Sequence, residues 1–194
     1  MTNSEIIILK DVADIRTGVY ARPHNQGEVT YLQSNNFNEE GELTKIHPPE
    51  LPLSDISEKH LLKTGDILFS AKGSRNFAFL FNSKTGLSVA SSTFFVIKIK
   101  KEYEQKIMPA YLSWYLNHPK TKELLQLKAR GSKMPSISKG DLQELEIRVP
   151  AVELQQKIIK IDELRKSQNK LLNQIKEFKD NYTQNIVFNK LNKI

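Results

Sequence analysis

Apolar positions along the chain change their spacing near residue 150. Before that point they form short runs bounded by glycine, proline, asparagine or serine, whereas residues 151–194 contain no glycine or proline and carry apolar side chains at steps of three and four. Short bounded runs are typical of strands, and the three-and-four spacing is typical of a helix. The pattern predicts one α+β domain over residues 1–150, followed by a long helix over residues 151–194.

The first 150 residues are predicted to hold short, mixed elements. Apolar or β-branched runs predict strands at residues 6–9, 29–33, 67–71, 77–81, 93–99 and 145–149. Pro109 and Pro119 suit the first turn of a helix, so helices are expected at residues 109–117 and 119–130. One helical turn is expected at residues 10–15 and a short capped helix at residues 138–142. The predicted inward face of the two proline-initiated helices consists of Tyr111, Leu112, Tyr115, Leu124 and Leu125.

The long helix carries a narrow apolar stripe, which we call the helix seam. It consists of Ile161, Leu164, Gln168, Leu171, Ile175, Phe178 and Tyr182, with Gln168 keeping the phase of the apolar residues. Such spacing is that of a coiled coil, in which a polar residue in the seam sets the register at some cost in stability. At ~1.5 Å rise per residue the segment reaches ~60 Å. The seam therefore predicts that this helix pairs with another helix.

Composition limits the protein class. A chain of 194 residues with 39% hydrophobic content can bury one ordinary core, and the absence of cysteine excludes disulfides, thiolate zinc sites and cysteine nucleophiles. The apolar run near the start is too short for a signal peptide, and no run of 18 apolar residues is present. We expect a cytoplasmic protein without a membrane span.

The charge is distributed in a way that suits a polyanion. The formal net charge is +7, and residues 67–101 carry no carboxylate but six basic side chains. A second acid-free window covers residues 124–140 and contains Lys128, Arg130, Lys133 and Lys139. Because carboxylates repel phosphates at close range, their absence favours nucleic acid as a partner. On charge alone, a solvated basic face explains the pattern equally well.

Small polar loops beside basic side chains give the candidate contacts. Glycine lets a backbone approach a phosphate, serine and threonine donate hydrogen bonds, and the arginine fork can bind guanine twice. Residues 33–36, at a strand exit, are rich in amides of the type that reads adenine. For any one of the loops, an ordinary glycine turn is the alternative explanation. The candidate DNA-binding residues are Arg16, Thr17, Arg22, Gln33, Asn35, Asn36, Lys72, Gly73, Ser74, Arg75, Asn76, Arg130, Gly131, Ser132 and Lys133.

Catalytic and metal-binding patterns are weak in this sequence. The four histidines lie at no recognised ligand spacing, and no phosphate-binding glycine loop or serine elbow is present. Glu104 and Lys106, like Glu177 and Lys179, have a spacing found in metal-dependent nucleases, but solvent-facing charges explain both pairs better. We therefore expect no catalytic residue, no metal and no cofactor, with a nuclease using Glu104 and Lys106 as an alternative.

Three stretches together resemble a known family. Residues 9–18 (LKDVADIRTG) are similar to the opening of the target-recognition domain in specificity (S) subunits of type I restriction-modification systems. Residues 65–73 (GDILFSAKG) resemble its central strand, and residues 131–142 with 149–158 resemble its junction with a conserved helix. Ala151 and Val152 depart from the proline and leucine that are common there. The resemblance spans nearly the whole chain in the expected order.

The resemblance implies a DNA-recognition subunit that is not an enzyme. An S subunit of this family carries two recognition domains and two antiparallel helices, and this chain has one of each. The resemblance therefore implies that the long helices of two copies form an antiparallel coiled coil, giving a homodimer on a bipartite, palindromic target. Methyltransferase (M) subunits carrying S-adenosylmethionine would modify adenine, and an ATP-driven restriction (R) subunit would cleave. An alternative is a scaffold that bridges methyltransferase subunits without sequence preference.

Overall fold

The structure, a computed structural model, describes residues 4–24, 26–38, 40–73, 75–129 and 135–191. The chain divides into two units, Met1–Gln155 and Gln156–Ile194. Within the described residues, no helix is both long and apolar enough to cross a membrane. In chain order the elements are β1 (Glu5–Ile8), α1 (Leu9–Val12), β2 (Ala13–Thr17), β3 (Thr30–Leu32), β4 (Ile67–Ser70), β5 (Ala78–Leu80), β6 (Ser88–Ala90), β7 (Phe94–Ile99), α2 (Pro109–Asn117), α3 (Pro119–Lys128), α4 (Lys139–Gln143), β8 (Glu146–Val149) and α5 (Val152–Leu191).

A four-stranded antiparallel sheet, in the order β2-β7-β4-β5, forms the centre of the first unit. Side chains alternate between its faces, so Ile67 and Phe69 of β4 join one apolar cluster, and Leu68 joins another. Burial on both faces explains why β4 reads as a continuous apolar run. The sheet therefore has core on both sides, and polar function is left to the loops at its ends.

Two small sheets complete the first unit. β1 pairs antiparallel with β8, placing Ile7 opposite Ile147, and β3 pairs parallel with β6, placing Tyr31 opposite Val89. β6 was not predicted, because its three residues, Ser-Val-Ala, form no apolar run. The parallel pair fixes the strand exit that carries Gln33, one of the predicted site residues.

The two proline-initiated helices are confirmed, and α2 has the predicted bounds. Tyr111, Leu112 and Leu125 are buried, but Leu124 is 56% exposed, so its placement on the inward face was wrong. On α3, the buried residues Thr121 and Leu125 are four positions apart and share the inward face. Leu124 lies about 100° from Leu125 around the helix axis, so it points away from that face.

The prediction of a helical turn at residues 10–15 was also wrong for residues 13–15. α1 ends at Val12, and Ala13 and Ile15 are buried in β2 with Asp14 exposed between them. That alternation is the two-residue period of a strand, and β2 pairs with β7 along its whole length. Pairing with a distant strand therefore overrides the local helical tendency.

The long helix is confirmed as α5, with 40 residues. The apolar residues of the helix seam are between 51% and 73% exposed, and Leu172, Ile186, Val187 and Phe188 are exposed as well. At the start of α5, in the first unit, the buried Gln155 amide accepts from the Met108 N–H and donates to the carbonyls of Lys106 and Pro150. These bonds anchor the first turn of the helix to the rest of the first unit.

Candidate nucleic-acid interface

The candidate loops meet at one end of the four-stranded sheet, which we call the loop end. β2 finishes there at Thr17, β4 finishes at Ser70 and β7 begins at Phe94, because the strands are antiparallel and Ser70 lies opposite Phe94. β5 begins nearby at Ala78, directly after Arg75 and Asn76. Residues distant in sequence are thereby carried on one edge of the first unit.

A short turn at residues 91–93, the central turn, connects these loops. Its Ser91 N–H donates to the Leu32 carbonyl at 2.8 Å, and its Thr93 carbonyl accepts from the Ala71 N–H at 3.3 Å. The hydroxyls of Ser91 and Thr93 lie 2.6 Å apart and bond each other. The central turn therefore joins the strand exit before Gln33 to the loop that begins at Lys72. It was not among the sequence candidates, because Ser-Ser-Thr between two strands shows only a turn.

The first loop reaches the central turn through Gly18. The Gly18 N–H donates to the Phe94 carbonyl at 3.0 Å, and the Val19 N–H donates to the Ala90 carbonyl at 2.8 Å. A Cβ at Gly18 would lie 2.1 Å from the Ser91 carbonyl oxygen, so no other residue fits this approach. Gly18 thus serves backbone packing, with Thr17 and Arg22 on either side of it.

The second loop pairs with the chain that follows the third loop. Lys72 forms an antiparallel bridge with Ser136, and the Gly73 N–H donates to the Pro135 carbonyl at 2.9 Å. Gly73 has φ +87°, a conformation that glycine adopts without strain. Five predicted site residues lie outside the described residues: Ser74, Arg130, Gly131, Ser132 and Lys133.

Five of the predicted site residues have exposed side chains: Thr17, Arg22, Asn35, Lys72 and Arg75. Gln33 is half-buried. Among the described residues, none of the cations Arg22, Lys72 and Arg75 forms an ion pair within the protein. Their charges are therefore available to an external anion.

Arg16 is engaged inside the protein. Its guanidinium donates to the carbonyls of His60 and Leu61 at 3.3 and 3.4 Å, and it lies 3.8 Å from the Asp66 carboxylate. Burial lowers the pKa of Arg16, and Asp66 opposes that shift. Burial also raises the pKa of Asp66, while the hydrogen bond from the Lys63 N–H and the charge of Arg16 lower it in part. Arg16 thus holds the 60–61 segment against β2, with a third of its side chain left exposed.

The side chains of Asn36 and Asn76 also bond backbone groups inside the protein. Asn36, 1% exposed, accepts from the Gln33 N–H at 2.6 Å, and the Asn76 amide donates to the Ser70 carbonyl at 2.9 Å. Both bonds shape the loops from within. Asn35, directly before Asn36 in the chain, is exposed instead.

The structure also brings residues near the first loop that the sequence did not single out. Tyr20, Lys59 and His60 line a cavity together with Arg22. Residues 58–60 form a single short 3₁₀ turn of mixed charge, and no spacing rule signals its position. The Arg16 bonds to the His60 and Leu61 carbonyls are what bring this segment to the loop end.

The Glu104–Lys106 pair has structural partners. The Lys106 ammonium pairs with the Glu5 carboxylate, and its carbonyl accepts from Gln155. In the portion of the chain that the structure describes, no three His, Asp, Glu or Cys residues are grouped to hold a metal. The geometry thus adds nothing in favour of a nuclease.

Solved structures share this fold. The S subunit of a type I restriction-modification system from M. genitalium matches with a TM-score of 0.59 and 15% identity, over 82% of this chain and 38% of that one. The HsdS subunit from Thermoanaerobacter tengcongensis matches with a TM-score of 0.61 and 19% identity, over 87% and 43%. A structure describing complex assembly and conformational transition of the type I R-M system gives 0.61 and 17%, over 87% and 40%. The fold is that of type I specificity subunits, of which this chain spans about two fifths.

The sequence family agrees with the fold. The family model for the type I restriction modification DNA specificity domain matches residues 1–178. The chain therefore belongs to this family, as the three sequence stretches indicated. No curated protein matches the chain.

Proposed function

We propose that this chain recognises a specific DNA sequence as a non-catalytic specificity component of a type I restriction-modification system in the cytoplasm. The observation that carries the proposal is the convergence of the candidate loops on the central turn, in a chain of the specificity-domain family. The loops joined there carry exposed cations that have no ion-pair partner among the described residues, the exposed amide of Asn35, and glycines that permit close backbone approach. That combination suits DNA, which needs both phosphate and base contacts.

The exposed residues divide into two roles. Arg22 and Lys72 neutralise phosphates, which gives affinity that falls with salt, while Arg75, Gln33 and Asn35 read base edges in the major groove. The Thr17 hydroxyl donates a hydrogen bond to the DNA backbone. Ser74, Arg130, Ser132 and Lys133 complete the same edge in this proposal, and Gly73 and Gly131 allow the backbone to approach.

The helix seam is proposed to pair with the seam of a second copy, antiparallel. In one antiparallel register Leu171 faces Ile175 and Leu164 faces Tyr182, so that six of the seven seam residues meet a seam residue of the other copy. A row of apolar side chains more than half exposed favours such a partner. A two-fold pair would present two recognition domains to a palindromic, bipartite target with half-sites separated by roughly one helical turn, ~34 Å.

Methyltransferase and restriction subunits are the proposed protein partners. The matched structure on complex assembly concerns a type I R-M system, and a recognition domain that carries no chemistry needs subunits that methylate and cleave. The paired helices would form their docking surface.

Selection of bound DNA from a random pool tests the function, with the purified chain alone and with a type I methyltransferase subunit. We expect enrichment of an inverted repeat with a non-specific spacer. Binding without enrichment would indicate the non-specific scaffold instead, and enrichment of a single unrepeated site would contradict the two-fold dimer.

A further inference from the structure

A cavity of about 540 Å³ lies beside the first loop, and we call it the basic pocket. One wall is formed by residues 19–22 and 24, including Tyr20 and Arg22, and the other by residues 55–57, 59 and 60, including Lys59 and His60. The volume is within the range of small-ligand sites. All of these elements belong to the first unit, and Val19 connects the pocket to the central turn through a parallel bridge with Ser91.

The basic pocket has an excess of unpaired positive charge. Neither Arg22 nor Lys59 forms an ion pair among the described residues. Among the described residues of the lining, Asp55 carries the single carboxylate, which accepts from the neighbouring Ser54 hydroxyl at 3.1 Å. Two free cations facing one carboxylate favour an anionic ligand.

His60 adds an unsatisfied polar atom to the same wall. Its Nδ1 is buried and has no hydrogen-bond partner among the described residues. Buried polar atoms are almost always bonded, so an exception needs a physical account. Burial lowers the pKa of His60, and the charges of Arg16 and Lys59 lower it further. An anion bound nearby would offset both charges.

The walls of the basic pocket are held in place by hydrogen bonds. Arg16 donates to the carbonyls of His60 and Leu61, and the Tyr31 hydroxyl donates to the Val19 carbonyl at 3.0 Å while accepting from the Ala21 N–H at 3.4 Å. Both supports are themselves largely buried, so the cavity is part of the fold. Arg16 is thus a positioning residue for the pocket.

We propose that the basic pocket binds a phosphate group, which in the protein–DNA complex belongs to the DNA backbone next to the bases read at the loop end. Arg22 and Lys59 supply the charge, and the exposed ring of Tyr20 packs against the attached sugar or base. This inference rests on the proposed DNA-binding function and adds Tyr20, Lys59 and His60 to it. A phosphate contact carries no sequence information, so the pocket anchors the domain and leaves specificity to the loops.

Substitution of Lys59 in the full chain tests the proposal. Lys59→Gln and Arg22→Gln should each weaken binding equally on the selected sequence and on an unrelated duplex, and reduce the slope of log affinity against log salt by about one. Lys101→Gln is the matched control, because Lys101 follows Ile99 at the opposite end of β7 from the loop end. Unchanged affinity and slope in both pocket variants would overturn the proposal.

A second measurement separates this inference from the DNA-binding function. Inorganic phosphate is added to the full chain, and the His60 ring signals are followed by NMR against sodium chloride at matched ionic strength. We expect a shift with phosphate that is lost in Lys59→Gln and kept in Lys101→Gln. If the parent chain binds no DNA, the proposed function fails; a Lys59-dependent shift would then identify a site for free phosphate, and its absence would overturn the pocket too.

Discussion

Arg16 shows how one side chain can look like a DNA contact and serve the fold. It donates to two carbonyls of the 60–61 segment and lies beside the buried Asp66 carboxylate. Arg16→Met should lower the free energy of unfolding by about 1–3 kcal/mol, because it leaves buried acceptors unbonded. Urea denaturation checks this, with the exposed Arg22→Met expected to change stability by less than about 0.5 kcal/mol.

The pH dependence of stability should change in the same variant. The folded-state pKa of Asp66 is raised above 3.8, so its contribution is most favourable below that value and is lost as pH rises through the folded pKa. Removing Arg16 raises this pKa further, so the loss extends to higher pH and grows. A flat difference between Arg16→Met and the parent from pH 4 to 7 would contradict the pairing with Asp66.

Gly18 is the second residue whose role depends on one close contact. Gly18→Ala would place a methyl group 2.1 Å from a backbone oxygen of the central turn, which cannot move aside as a side chain can. We expect a loss of about 1–3 kcal/mol of unfolding free energy, or more. Gly140→Ala is the control, since its Cβ would meet nothing closer than 3.7 Å and α4 tolerates alanine. Equal urea midpoints for the two variants would refute this account of the close contact.

At the residue scale, the sequence singles out polar side chains as candidates but does not divide them by role. Asn35 and Asn36 are adjacent and chemically identical, yet one is exposed and the other is 1% exposed and bonded to the Gln33 backbone. The difference arises from the local 3₁₀ turn at residues 34–36. Composition carries no record of such a turn.

At the element scale, local signals decided which predictions held. α2 and α3 follow from a proline at each start, and α5 follows from its three-and-four spacing without glycine or proline. β2 and β6 depend on strands far away in the chain, so their local patterns misled or gave no signal. Leu124 was misplaced because a 100° step per residue separates neighbours that look alike in sequence.

The helix seam gives the prediction at this scale. Leu171→Glu with Ile175→Glu should convert the proposed dimer to a monomer, because like charges would face each other across the seam. Size-exclusion chromatography with light scattering measures the mass. Leu127→Glu, at a more exposed leucine (79%) on α3 outside the seam, should leave the dimer intact. A parent chain that is monomeric at all concentrations would remove the two-fold model.

At the scale of the whole molecule, the loop end could not have been assembled from sequence alone. The first loop, the amide-rich strand exit, the Lys72 loop and the segment after residue 134 are joined by backbone bonds to one another or to residues 90–94. The longest of these bonds, from Gly18 to Phe94, connects residues 76 positions apart in the chain. No local pattern encodes such bonds. What the sequence did supply was the family resemblance, in which the long-range arrangement is implicit.

The same scale gives the sharpest prediction for specificity, because a two-fold pair would carry every substitution twice. Arg75→Ala should weaken binding to one selected half-site by about 1–3 kcal/mol if Arg75 reads a base, and by about twice that on the full inverted repeat. Lys72→Ala should weaken selected and unrelated duplexes alike, with a lower salt slope. Titration of half-site, full-site and unrelated duplexes with both variants, at several salt concentrations, measures the loss of affinity on each duplex and the salt slope. An Arg75 variant that loses equal affinity on every duplex would reassign this arginine to phosphate, and an equal loss on half-site and full-site DNA would show that only one copy binds.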